Sequence, residues 1–304
     1  MKKIFLYLLF SIVLSCLTFA QTTYTPQQNM KYLTSSPLQG RNAGTKGDSL
    51  AQIYIVENLK SLNIKPFYTD YLQPFTSKME TMRGGDLISS KNVIGWIEGT
   101  DSVLKKEFII ICAHFDHVGL EKGRIHPGAN DNASGVITIL NIAKMIQQNP
   151  LKRSVLVIFF GAEEKGLLGS YYFVKKAKFP LKTIDAVFNF DMVGKLKQEG
   201  TLYSKGEQTA KIFSELLEKY AAKYNVKYEV SPFNYMNGSD HYPFYRKRIP
   251  VLFFNTGLDW DNYHQPSDLP EKIDYEGIEL ISKIGFDLIT EVGNKTEKLK
   301  FNKK

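Results

Sequence analysis

The sequence predicts an α/β protein: a three-layer α/β/α sandwich around a mostly parallel, mixed central sheet. Apolar runs the length of buried strands recur at 109–113, 154–160 and 186–190, and each stops abruptly at polar residues. Stretches with helical spacing of apolar residues alternate with them, the arrangement that places helices on both faces of a sheet. Across 304 residues there is no repeat, low-complexity block or Pro/Ser linker, so one large domain with a substantial core is expected at 21–293.

The first 20 residues stand apart. Met1-Lys2-Lys3 before the apolar stretch 4–14 has the basic start and short apolar middle of a secretory signal peptide. Residues 4–20 are barely long enough to span a bilayer and lack a basic stop-transfer flank, so no stable membrane insertion is expected. Thr18-Phe19-Ala20 offers a cleavage site, and Leu14-Ser15-Cys16 is an alternative lipoprotein box that would anchor the chain at Cys16. The mature chain is therefore expected to be exported, to the periplasm or the extracellular space. Cleavage leaves Cys112 alone within a strand, so it has no disulfide partner and serves as a small buried hydrophobe.

Taken in order, Thr45 to Asp48 supply caps for a helix over 49–62, with Ile53, Ile55, Val56, Leu59 and Leu62 largely on one face. Strands are expected at 64–71 and 92–97, separated by a polar loop that turns at Gly84-Gly85. Asn132 or Ser134 caps a helix through Gln148, which Pro150 closes. After strand 154–160 come a helix over 167–178, strand 186–190, a helix over 207–224, strands at 226–230 and 249–254, and a last helix over 275–292. The formal charge of +8 dwindles on inspection. Loss of Lys2 and Lys3 leaves +6, and the basic tail at 294–304, expected to be solvated and frayed, holds four of these, so nucleic-acid binding has little support.

The chemistry lies where the strands end. His114, Asp131, Glu164, Asp191 and His264 all fall at or beyond strand ends, and in an open parallel sheet those ends line one crevice. Two imidazoles and three carboxylates suit Zn²⁺ or a similar divalent ion. Five protein ligands overfill one catalytic zinc but fit two if a carboxylate bridges, and Asp131, in the glycine-flanked stretch Gly128-Ala129-Asn130-Asp131-Asn132-Ala133-Ser134-Gly135, is the natural bridge. Glu163, beside Glu164, can act as general base. Asp116, two residues from His114, can accept the imidazole's second N–H and fix its tautomer. Taken singly, each has a plainer role: Asp131 as a helix cap, Glu163-Glu164 as the acidic first turn of a helix. His126, ahead of Pro127, is expected to be exposed, and His117 and His241 to line the pocket or lie behind it. Asn132-Ala133-Ser134 matches a glycosylation sequon, but its place beside Asp131 argues against modification.

These motifs resemble the secreted M28 zinc aminopeptidases: Ala113-His114-Phe115-Asp116-His117, the Gly128 to Gly135 stretch, Ala162-Glu163-Glu164-Lys165-Gly166-Leu167, Phe190-Asp191-Met192, Ser239-Asp240-His241 and His264-Gln265-Pro266-Ser267-Asp268. Leu38-Gln39-Gly40-Arg41-Asn42-Ala43-Gly44-Thr45 looks like the family's N-terminal entry, and the likeness covers about 30–290. It implies a zinc-exopeptidase-like fold and release of N-terminal residues from peptides or proteins; as a departure from the family, no accessory domain is expected between the entry segment and the first metal strand. It also implies His114 and Glu164 on one zinc, Asp191 and His264 on the other, Asp131 across both, Glu163 as base and a cis peptide after Asp131. A family tyrosine ahead of Ser-Asp-His makes Tyr235 a candidate substrate residue, together with Asp240 and His241. Two alternatives stay open: a one-zinc enzyme similar to the glutaminyl cyclases, which lack the first histidine ligand, and a non-catalytic binding protein on the same scaffold.

Overall fold

The computed structural model describes residues 24–78, 85–232 and 236–302. The leader with Cys16, the Gly84 turn, Tyr235, Lys303 and Lys304 lie outside the described residues. Eleven strands are present among those described: β1 (Lys65–Pro66), β2 (Leu72–Lys78), β3 (Leu87–Ile97), β4 (Phe108–His114), β5 (Gly119–Glu121), β6 (Arg124–His126), β7 (Ser154–Phe160), β8 (Ile184–Phe190), β9 (Leu202–Lys205), β10 (Tyr228–Val230) and β11 (Val251–Asn255). The α-helices are α1 (Pro26–Leu33), α2 (Lys46–Ser61), α3 (Gly135–Gln148), α4 (Leu168–Lys176), α5 (Leu196–Glu199), α6 (Ile212–Lys223), α7 (Tyr242–Tyr245) and α8 (Tyr275–Asn294).

Nine strands form the main sheet in the order β1-β3-β7-β4-β8-β11-β9-β10, with β2 also paired to β3, and β5-β6 make a separate hairpin. The middle, β7-β4-β8-β11, is parallel, whereas β3 joins β7 and β9 joins β11 antiparallel. The sheet is mixed, as expected: its parallel middle carries the polar termini, and β10 adds a further parallel pair with β9 at one edge.

Side-chain alternation along β4 divides the core. Ile109, Ile111 and Ala113 pack into the larger cluster with residues of α2, α3, α6 and α8, while Ile110 and Cys112 face Phe173 of α4 and Phe244 of α7. β7 and β8 are buried along their whole length, each large aliphatic residue contributing about 1.5–3 kcal/mol. Cys112 is free and buried.

Several expectations change. The strand expected over 64–71 reduces to the two residues of β1, because Asp70 and Tyr71 take left-handed backbone and turn the chain into β2. In α2 Ile53 faces solvent, and the buried face instead includes Gln52, which bonds to Asp48 2.9 Å away. The helix expected from 207 begins at Ile212, and α1, β9 and the β5-β6 hairpin were not foreseen. The tail expected to fray from 294 is docked through Asn302. The Arg153 guanidinium bonds the Lys295 carbonyl, the Leu299 amide donates to Asp185 Oδ1 at 2.7 Å, and the Phe301 ring meets Tyr245. Backbone groups near a buried arginine and aspartate outweigh the pull of solvent on the lysines.

Candidate metal centre

His114 is the last residue of β4, Asp191 follows β8 directly, and Glu163 and Glu164 lie just beyond β7. These three strands are neighbours, so their carboxyl ends bring the side chains to one rim. Asp131 comes from the loop before α3 and His264 from the loop after β11.

The donors meet in two groups that share Asp131: His114 with Asp191, and His264 with Glu164 and His117. His114 Nε2 lies 3.2 Å from Asp191 Oδ1 and 3.4 Å from Asp131 Oδ1. His264 Nε2 lies 3.0 Å from Glu164 Oε2 and 3.2 Å from Asp131 Oδ2. Asp131 thus turns one oxygen to each imidazole. The expected pairing of His114 with Glu164 and of Asp191 with His264 does not hold. β4 and β8 are adjacent, so His114 and Asp191 meet directly, and Glu164 is left to face the His264 loop.

Zinc bonds of about 2.0–2.2 Å put neighbouring tetrahedral donors roughly 3.3 Å apart, close to these separations, and the nitrogen and oxygen donor set is the one zinc takes. Charge points the same way. Among the described residues no lysine or arginine lies within ion-pair distance of Asp131, Glu163, Glu164 or Asp191. Burial opposes the His264 imidazolium, but Asp131 and Glu164 outweigh it and raise its pKa to about 10. The same contest leaves His114 well above its ordinary value, chiefly through Asp191. Asp131 is deeply buried, yet its imidazole partners hold its carboxyl below the usual carboxylate range.

Glu163 differs from its neighbour. Its carboxyl lines the cavity with no hydrogen-bond or ion-pair partner among the described residues, and burial followed by the Glu164 and Asp240 carboxylates pushes its pKa well up. The pair does not open a helix. Ala162 and Leu167 are left-handed, α4 starts at Leu168, and the Glu163 and Glu164 amides point at Asp116, donating to Oδ1 and Oδ2 at 3.0 and 3.3 Å. Asp116 therefore acts otherwise than expected. Its carboxylate, turned to those amides, stands 3.9 Å from His114 Nδ1, and its backbone carbonyl receives that nitrogen at 3.1 Å instead. The tautomer is still set, with Nε2 left facing the donors.

The Asp131 loop is knitted from both sides. Asp268 accepts from the Asn130 and Asp131 amides at 2.9 and 3.0 Å, and Asn132, wholly buried, donates to the Phe190 carbonyl at 3.0 Å and accepts from Gly135 at 2.9 Å. That burial leaves no room for a glycan. A Cβ on Gly135 would lie 2.3 Å from the Phe190 carbonyl, which accounts for the glycine. The Asp131–Asn132 peptide is cis. His126, expected to be exposed, is buried and bonds the His264 carbonyl at 3.0 Å. Asn130, Asn132 and Asp268 hold the Asp131 loop and His126 the His264 loop, roles that the sequence reading did not give them; the cue available was the polar pair Asn130 and Asn132 on either side of a proposed ligand.

Beside the donors opens a cavity of about 350 Å³ walled by Met192, Phe253, Leu258, Trp260, Tyr263 and Lys205. Asp240 and His241 are buried rather than part of this wall: His241 stacks behind Phe253 with ring centroids 4.8 Å apart, and burial lowers its pKa to about 3.

The model of peptidase family M28 matches residues 92–289. The chain is 29% identical over 225 residues to "Aminopeptidase YwaD" of Bacillus subtilis, covering 71% of this chain and 48% of that protein. It spans about half or less of the length of the curated relatives it matches first. Among solved structures, a zinc aminopeptidase from Bacillus subtilis superposes with a TM-score of 0.73 at 18% identity, over 92% of this chain and 97% of that one. A glutaminyl cyclase from Porphyromonas gingivalis superposes with 0.70 at 18%, over 88% and 98%. With the family model matched across about two thirds of its length, the chain belongs to peptidase family M28.

Proposed function

We propose that this chain is a zinc metallopeptidase that removes residues from the amino ends of peptides and proteins, with two ions per chain and Glu163 as general base. The observation that carries this is the division of Asp131, one carboxylate oxygen turned to each of two donor groups. Asp131, His114 and Asp191 would hold one ion, and Asp131, Glu164 and His264 the other. Zinc bound there supplies a Lewis acid that polarises the scissile carbonyl and makes water more acidic.

Glu163 does the proton work. Its unpartnered carboxylate takes a proton from water as the water oxygen bonds to the carbonyl carbon. It then delivers that proton to the departing nitrogen as the C–N bond breaks, and the raised pKa suits both halves of the transfer. Amides of Glu163 and Glu164 anchored on Asp116 keep that carboxylate in place. The cavity, near the small end of the range for ligand sites, suits a peptide terminus better than a chain passing through.

Likeness to the cyclase structure supports the alternative chemistry no less than likeness to the aminopeptidase, since both concern fold alone. His114 beside Asp131 Oδ1 favours the two-ion reading. Among the described residues no helix is long and apolar enough to cross a membrane.

The test is turnover of free and N-blocked peptides with and without chelator, alongside a metal count. Cleavage restricted to free amino termini, lost on chelation and restored by zinc, is the expected result. Hydrolysis of blocked peptides from the carboxyl end, or full activity after stripping, would overturn the proposal.

A further inference from the structure

One imidazole of the cluster has no part in the hydrolysis proposed above. His117 is fully buried, with Nδ1 2.9 Å from Glu164 Oε1 and 3.8 Å from Asp131 Oδ2, and its ring stands edge-on to that of His264 at 5.5 Å between centroids. Its placement is built. Gly128 lies so close that a Cβ there would come within 2.6 Å of the ring, and the His117 amide donates to the Arg41 carbonyl at 3.4 Å. The buried Arg41 guanidinium in turn holds the Phe115, Pro127 and Gly128 carbonyls on either side, at 2.7, 2.6 and 2.9 Å.

We propose that His117 is a fourth protein donor to the Glu164–His264 metal position, so that the two positions sharing Asp131 are unequal. The inference rests on the two-ion reading and extends it. One nitrogen or oxygen from each of His117, Asp131, Glu164 and His264 can be chosen so that all four atoms lie within 4.8 Å of one another, whereas the partner group offers three such residues. The 2.9 Å between His117 and Glu164 is within 0.1 Å of the 3.0 Å between His264 and Glu164, a pair already assigned to one ion.

Nδ1 also faces the side shared by the Glu164 and Asp131 carboxylates, where an ion between them would sit. Four protein donors close a zinc site, while three leave a position for water or substrate. The position with His117 is therefore the tightly held one, and the His114–Asp191 position is the exchangeable one that stays open to substrate. The rival account has Nδ1–H donating a hydrogen bond to Glu164, with Nε2, which has no partner among the described residues, as a bare acceptor. A ligand and a donor respond differently to asparagine, which keeps an N–H but offers no imidazole nitrogen.

The experiment titrates the metal-free full chain with Zn²⁺ by calorimetry and with Co²⁺ by visible absorption, for the wild type, His117→Ala, His117→Asn and His114→Ala. Two affinity classes are expected in the wild type. Both His117 variants should weaken the tighter class by more than the roughly 10- to 100-fold that loss of an outer-shell hydrogen bond costs, and alter the spectrum of the first Co²⁺ equivalent. His114→Ala should affect the weaker class alone. His117→Asn, the near-isosteric change, decides the question if the alanine variant fails to fold.

Wild-type affinity and spectrum in His117→Asn would overturn the assignment, as would two unchanged classes in His117→Ala. If the wild type binds a single ion that His117→Ala and His117→Asn both weaken, the His117 assignment stands while the two-ion function falls.

Discussion

Two clusters of buried charge sit at opposite ends of the same central strands. At the amino end, Arg153 reaches Glu107 at 2.8 Å and Asp185 at 3.3 Å, with the docked tail bonding both Arg153 and Asp185. At the carboxyl end, Asp131, Glu163, Glu164 and Asp191 crowd around imidazoles, while the nearby buried Arg41 directs its donors to backbone carbonyls rather than to any of them. The first cluster contains its own cation. The second lacks one, and that is the difference between a charge cluster that holds a fold together and one that receives an ion.

That contrast can be broken or sharpened by experiment. Glu163→Gln should lower the rate of peptide hydrolysis by roughly 10²–10⁴-fold while leaving bound metal and thermal midpoint unchanged, because the amide keeps the shape and loses the base. An equal loss of metal would remove Glu163 from the base role. At the other end, Arg153→Met should cost about 3–5 kcal/mol in denaturant unfolding, the penalty for stranding buried acids, with zinc affinity unaltered. A shift in metal binding in this variant would mean that the clusters communicate.

Zinc at a hundredfold excess over its dissociation constant should stabilise the wild type by about 2.7 kcal/mol per site, and most of that gain should vanish in Asp131→Ala. Stabilisation retained without Asp131 would deny it the bridging role. The smallest effect is expected from Lys205→Ala. Lys205 has no ion-pair partner among the described residues, so its loss should change the ratio of kcat/KM for acidic against apolar first residues by no more than about fivefold.

Much of this was legible in the residues. β4, β7 and β8 announce themselves as β-branched and aromatic runs, and a histidine or carboxylate at the end of such a run has few uses in a core, which is why the donors stood out one by one. How they share Asp131 was not legible, since it depends on β8 rather than β7 presenting the nearest carboxylate to His114. Asp116 was misassigned because a backbone carbonyl competed successfully with the side chain for the same imidazole. His126 and the tail were misjudged for a common reason: both are satisfied by groups more than a hundred residues away, such as the His264 carbonyl and Asp185, and no local pattern reports partners at that separation.

Arg41 carries one more consequence. It lies outside the 92–289 region matched by the family, as do Lys295 and Leu299, yet it ties the His117 and Asp131 loops from below. A fragment cut to residues 92–289 would forfeit that tether and the tail contacts of Arg153 and Asp185, so the packed unit extends beyond the family-matched segment on both sides.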